Sequence, residues 1–106
     1  MDIKKLIGEA TEYDKKEMLE SKRPKSWLKS VSAFANGMGG KLLFGIDDDG
    51  EVVGLADCER DCVIISETIK TKMDPIPEIH LVPETVDGKK IIVLTVFPGK
   101  ETPYYY

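Results

Sequence analysis

Trp27, Leu28, Val31, Phe34 and Ala35 recur at i, i+1, i+4, i+7 and i+8, and the stripe halts at Asn36-Gly37-Met38-Gly39-Gly40, just before the apolar run Leu42-Leu43-Phe44. No other stretch restricts the fold as much. A stripe at a 3.6-residue period buries one face of a helix. Clustered glycines end such a helix, because they supply left-handed and close-approach backbone. An unbroken apolar run directly afterwards reads as a strand covered on both faces. We therefore expect a helix over 26–36, a glycine turn over 36–41 linking helix to strand, and a buried strand over 41–46. Ser26 is the expected N-cap.

The rest of the chain falls around this unit. Asp47-Asp48-Asp49-Gly50 reads as a turn, with Glu51–Leu55 returning as its hairpin partner. A second helix is expected over 59–72, with Cys62, Ile65 and Ile69 on its inner face, ended by Asp74-Pro75-Ile76-Pro77. Two strands, 78–83 and 90–97, flank a turn at Asp87-Gly88. Residues 1–8 read as a short amphipathic lead-in carrying Ile3, Leu6 and Ile7. Residues 9–20 are dense in charge without a clean period, so helix and edge strand both remain open there. The expected fold class is α+β: a single mixed, mainly antiparallel sheet with two main helices on one side. With 106 residues the chain makes one domain. The closing Tyr104-Tyr105-Tyr106 would be an unattractive free surface, so we expect either packing of these rings or a truncated domain of a larger protein.

Composition narrows the function classes. Apolar residues are 42% and charged residues 32% of the chain, as in a soluble globular domain. No run is long enough to span a bilayer, and Met1–Ile7 lacks the features of a secretory signal. Two cysteines and one histidine do not make a four-ligand zinc site. A reducing, cytoplasmic setting is the simplest expectation. The net charge is −4, which opposes a freestanding polyanion binder. Its distribution is uneven: residues 1–30 are net +2, residues 31–61 net −5 and the remainder net −1. Local fields outweigh the total.

Three constellations carry candidate chemistry. The glycine loop Asn36–Lys41 resembles a phosphate cradle, but Leu42 stands where a P-loop needs Ser or Thr and Ala35 where it needs its first glycine. A helix stop with close packing is favoured. The turn Asp47-Asp48-Asp49 fails as an EF-hand, since Val52 occupies the glycine position. Solvated turn residues are the simpler reading, although one carboxylate at a strand end can help hold a divalent ion. The charged head mixes Glu9, Glu12, Asp14, Glu17 and Glu20 with basic residues. A solvated face of alternating charge is the ordinary explanation. The functional one places Lys16, Lys22, Arg23 and Lys25 on phosphates, and Glu9 and Asp14 on a magnesium or manganese ion. Trp27 reads as core. His80 lacks a nucleophile partner, and Cys58 and Cys62 read as small buried hydrophobes.

The block from Ser26 to Leu55 resembles the Schlafen AlbA-type domain. It carries Ala33-Phe34-Ala35-Asn36 at a helix end, Gly39-Gly40 into a strand, Phe44-Gly45-Ile46, a turn of aspartates, and Gly54-Leu55. Asp74-Pro75-Ile76-Pro77 and Thr102-Pro103-Tyr104-Tyr105-Tyr106 match as well, so the resemblance covers essentially all of residues 1–106. It implies a DNA-binding module of a bacterial transcriptional regulator or helicase-related protein, followed by further domains. The interface would comprise Lys15, Lys16, Lys22, Arg23, Lys25, Lys29 and Lys41, and the partner would be DNA or structured RNA. Animal relatives imply an alternative, a metal-dependent endoribonuclease with Glu9, Asp14 and Asp47 (or Asp48) as catalytic metal ligands. Asp14 replaces the usual glutamate, one methylene shorter, and Lys15 replaces the usual aromatic. A non-catalytic oligomerisation domain is a further alternative, and catalysis by this domain alone is the weaker expectation.

Overall fold

Asp87 and Gly88 both take positive φ, 52° and 75°, the backbone of a two-residue turn whose twist matches paired strands. They join β3 (Ile79–Val86) to β4 (Lys89–Val96) in a continuous antiparallel ladder from Val86↔Lys89 to Ile79↔Val96. β2 (Gly40–Phe44) pairs antiparallel with the other side of β4, and β1 (Tyr13–Lys16) lies parallel to β2 with Asp14 opposite Leu42. The strand order is β1-β2-β4-β3. Two helices complete the fold, α1 (Lys25–Asn36) and α2 (Cys58–Lys72). This is the expected α+β class with one mixed sheet. The computed structural model describes residues 12–20, 22–100 and 103–105.

The sheet is covered on both sides, which explains the unbroken apolar run. Leu42, Phe44, Ile92, Leu94 and Val96 face the helices and pack with Trp27, Leu28, Val31, Ile65 and Ile69. Leu43, Ile91 and Val93 form a second cluster with Ile46 on the opposite face. The Trp27 ring meets Phe44 edge-on, with centroids 5.9 Å apart and an interplanar angle of 86°. Each large side chain buried in this way contributes about 1.5–3 kcal/mol. The outermost strand β3 carries Pro83, opposite Ile92 on β4. A residue without an N–H is tolerated only where that position needs no partner strand.

Several local expectations change. The charged stretch near Tyr13 is an edge strand, because parallel pairing to β2 satisfies its backbone without any apolar period. α1 starts at Lys25 with Pro24 at the cap position and no side-chain cap; Ser26 is inside the helix, and its hydroxyl is buried without a partner. Pro24 accepts the first helical bonds instead, from Trp27 at 3.2 Å and Leu28 at 2.8 Å. The strand after the aspartate turn reduces to one bridge, Ile46↔Val52. Gly45, at φ 102°, ends the β2 ladder, and its carbonyl accepts from both Val53 (2.9 Å) and Gly54 (3.0 Å).

The closing tyrosines separate. Tyr104 is buried, whereas Tyr105 is exposed. The Tyr105 backbone forms an antiparallel bridge with Asp74. Tyr106 and residues 1–11, including the lead-in and Glu9, lie outside the described residues.

Candidate functional site

β1 and β2 are parallel, so their C-terminal ends lie together. The chain then crosses back through α1, which starts at that end. β4 opposes β2, which brings its first residues, Lys89 and Lys90, to the same end. α2 also starts there, with Asp57 as its N-cap, the carboxylate accepting from Arg60 N at 3.1 Å. Three shallow clefts adjoin one another here. The first, about 360 Å³, is lined by Met18, Leu19, Glu20, Lys22 and Arg23. Met18 and Leu19 also wall the second, about 300 Å³, opposite Val53–Ala56. The far side of Val53–Ala56 walls the third, about 470 Å³, with Lys89 and Lys90.

The basic residues anticipated from sequence divide into two groups. Lys22, Arg23, Lys25 and Lys29 are all exposed. The first three flank the start of α1, and Lys29 lies one turn on from Lys25, so both point outward from the buried stripe. Lys16 lies on the helix side of the sheet, in register with Phe44, and is 3.5 Å from the Asp14 carboxylate. Lys15 and Lys41 belong to the opposite face. Lys15 is in register with Leu43 and donates from Nζ to the Asp48 carbonyl at 2.9 Å. Lys41 is half-buried between Tyr13 and Thr95 in register. Lys22, Arg23, Lys25 and Lys29 are thus exposed around the start of α1, Lys16 is on the helix side of the sheet, and Lys15 and Lys41 are on its other face.

The candidate metal carboxylates are engaged locally. Asp14 Oδ1 accepts from Lys15 N at 2.8 Å, and Oδ2 accepts from the Ser30 hydroxyl at 3.0 Å. Asp47 Oδ1 accepts from the backbone N–H groups of Asp49 (3.0 Å) and Glu51 (2.9 Å), which holds the acidic turn. Among the described residues no group of three or more His, Cys, Asp or Glu side chains is placed to hold a metal ion. Asp14 thus ties β1 to α1 and Asp47 holds its own turn; Glu9, the third carboxylate of that expectation, lies outside the described residues.

The glycine loop is a packing device. A Cβ on Gly40 would lie 2.7 Å from the Phe34 ring, and one on Gly39, at φ 83°, would lie 2.8 Å from the Val96 carbonyl. Gly39 N–H closes the helix on the Phe34 carbonyl at 2.9 Å. His80 is exposed on β3. Cys58 and Cys62 are free and half-buried, and the Cys62 thiol is pushed up to about 11, by burial first and then by neighbouring Cys58.

Sequence reading missed Lys89, Lys90, Arg60 and Asp61. The two lysines were findable, because the Asp87-Gly88 turn fixes which end of β4 they occupy. Asp61 is the one buried charged residue among those described, 4% exposed, in a helix whose pattern suggested a solvated position. Among the described residues no helix is long and apolar enough to cross a membrane.

The sequence model of the family described as Schlafen, AlbA_2 matches residues 9–106. No curated protein matches the chain. Among solved structures, the N-terminal domain of a protein from Nitrosomonas europaea, named as related to the ATP-dependent DNA helicase RecG, superposes with a TM-score of 0.65 at 24% identity. That alignment covers 96% of this chain and 80% of that one. The DIP2311 protein from Corynebacterium diphtheriae superposes with a TM-score of 0.60 at 20% identity, over 88% of this chain but only 18% of its own. At these identities the likeness is one of fold.

Proposed function

Because the chain belongs to the Schlafen AlbA_2 family, we propose that it is a nucleic-acid-binding module that grips backbone phosphates through the start of α1. The observation that carries this reading is the exposed group Lys22, Arg23, Lys25 and Lys29, four cations within eight residues of an acidic chain. Lys22 and Arg23 line a cleft that Glu20 shares, and α1 itself carries no carboxylate, so the local field is positive where the net charge is not.

The reading draws support from a structural neighbour whose name concerns a DNA helicase. Phosphate contacts of this kind fix position without reading sequence. A role as one module of a larger regulatory or helicase-related protein, in the cytoplasm, is consistent with this and belongs to the same proposal.

The test is fluorescence anisotropy with duplex DNA and with structured RNA across a salt series. Four phosphate contacts predict a slope of log K against log salt of about −3 to −4. The triple variant Lys22→Ala, Arg23→Ala, Lys25→Ala should flatten that slope to about −1. Absence of binding to either nucleic acid at low salt overturns the proposal. Self-association of the fragment without such binding would point to an assembly role instead.

A further inference from the structure

We propose that the cleft between Met18-Leu19 and Val53–Ala56 is a docking site for an arginine side chain of a partner protein, with Asp61 as the anion that receives it. The carboxylate lies in the wall of a concavity of about 300 Å³. Its side chain is only 6% exposed. A buried carboxylate is costly unless it is paired and hydrogen-bonded. Here it has one donor, Arg60 Nη2, at 3.3 Å to Oδ1. No described group donates to Oδ2. Oδ2 is not sealed from solvent, since the buried side-chain atoms without a partner among the described residues are Ser26 Oγ and Trp27 Nε1, and it stays open to a donor that enters the cleft.

The helix offers part of an explanation for Asp61 but not all of it. An acidic residue in the first turn of α2 complements the helix dipole, as exposed Glu59 does. The dipole gives no reason to bury the group. Nor does pairing with Arg60 require burial, since Arg60 is 65% exposed and reaches in from solvent.

The chemistry of the walls selects the occupant. Met18, Leu19, Val53 and Leu55 offer apolar surface suited to an aliphatic stem. Glu17 and Asp57 add negative charge at the rim. A long apolar stem that ends in a planar cation fits this combination, and arginine supplies both. The donor already present on Asp61 is itself a guanidinium, from an exposed and adjacent residue that can swing aside. A polyanion is disfavoured in the cleft by Glu17, Asp57 and Asp61, which makes this site separate from the cationic surface at α1.

The experiment titrates the ¹⁵N-labelled protein with N-acetyl-arginine methylamide, its neutral isostere N-acetyl-citrulline methylamide, and guanosine monophosphate. The arginine amide should shift the amides of Val53–Ala56 and Asp61, and bind about tenfold more tightly than the citrulline amide, the loss expected when one charge-assisted bond is removed. Asp61→Asn, which keeps the shape, should abolish that preference. Arg60→Gln, which removes the internal competitor, should tighten arginine binding. Equal shifts with arginine and citrulline amides, or none at these residues with either, overturn the proposal. So does a response confined to guanosine monophosphate, which would make the cleft a nucleotide pocket. The comparison of the two amides on the wild-type protein decides the matter even if Asp61→Asn fails to fold. It is also independent of whether nucleic acid binds at α1.

Discussion

The side-chain amide of Asn36 holds the Tyr104 backbone by both of its polar groups. Its Oδ1 accepts from Tyr104 N at 2.6 Å, and its Nδ2 donates to Tyr104 O at 3.1 Å. Ser32 donates to the same carbonyl at 2.7 Å. The last residue of α1 thus fixes the far end of the chain, and the buried Tyr104 ring packs over Gly99. Asn36→Ala removes two of these bonds and leaves the Tyr104 N–H without its acceptor. We expect a loss of about 2 kcal/mol, read as a drop in Tm of roughly 10 °C.

Ser26→Ala separates two accounts of the start of α1. A serine N-cap would cost about 1 kcal/mol on truncation to alanine. The buried hydroxyl here lacks a partner. Its removal should therefore be neutral or stabilising by up to about 1 kcal/mol, measured by urea denaturation.

Two glycines with different surroundings should respond differently to alanine. A Cβ at Gly40 meets the Phe34 ring and the Glu12 carbonyl at 2.9 Å or less. Gly40→Ala should cost about 3 kcal/mol through overpacking. Gly50 has φ 84° but nothing within 4 Å, so Gly50→Ala should cost only the conformational penalty of about 1–2 kcal/mol. Equal midpoints in chemical denaturation would contradict this account.

The raised Cys62 thiol gives a pH signature. Burial lifts its folded value from the ordinary 9.0 to about 11. The unfolded chain therefore loses this proton first. Stability from the neutral thiol is complete below about pH 9 and is lost as pH rises towards 11. The difference in stability between wild type and Cys62→Ser should be flat up to pH 8.5 and narrow above it. Ellman's reagent should react slowly with Cys62 at pH 7.5, because little thiolate is present.

Much of the fold is legible in the sequence where one periodicity acts alone. The α1 stripe, the glycine stop and the Asp87-Gly88 turn each carry a local physical signal that tertiary context does not override. β1 has no such signal. Its four residues include one aspartate and two lysines, and they form a strand because β2 supplies hydrogen-bonding partners. Ser26 misleads for the converse reason: Pro24 and the approach of the chain set the cap two residues earlier. At the site, the cationic residues before α1 are evident as a cluster, but their separation from Lys15 and Lys41 depends on strand register, which flips side chains between faces with each residue. Asp61 is hidden because the cleft it lines is completed by Met18, Leu19 and Val53–Ala56, which arrive from distant parts of the chain.

Pro83 has a bearing on how this unit behaves in company. An outermost strand as long as β3 would otherwise offer a ready template on which a second molecule could extend the sheet. The missing amide interrupts that template near its middle, and the opposite border is only four residues long and bears lysines. Tethered at high local concentration beside copies of itself, the domain should resist strand zippering along this border, which leaves side chains as the material for any assembly it joins.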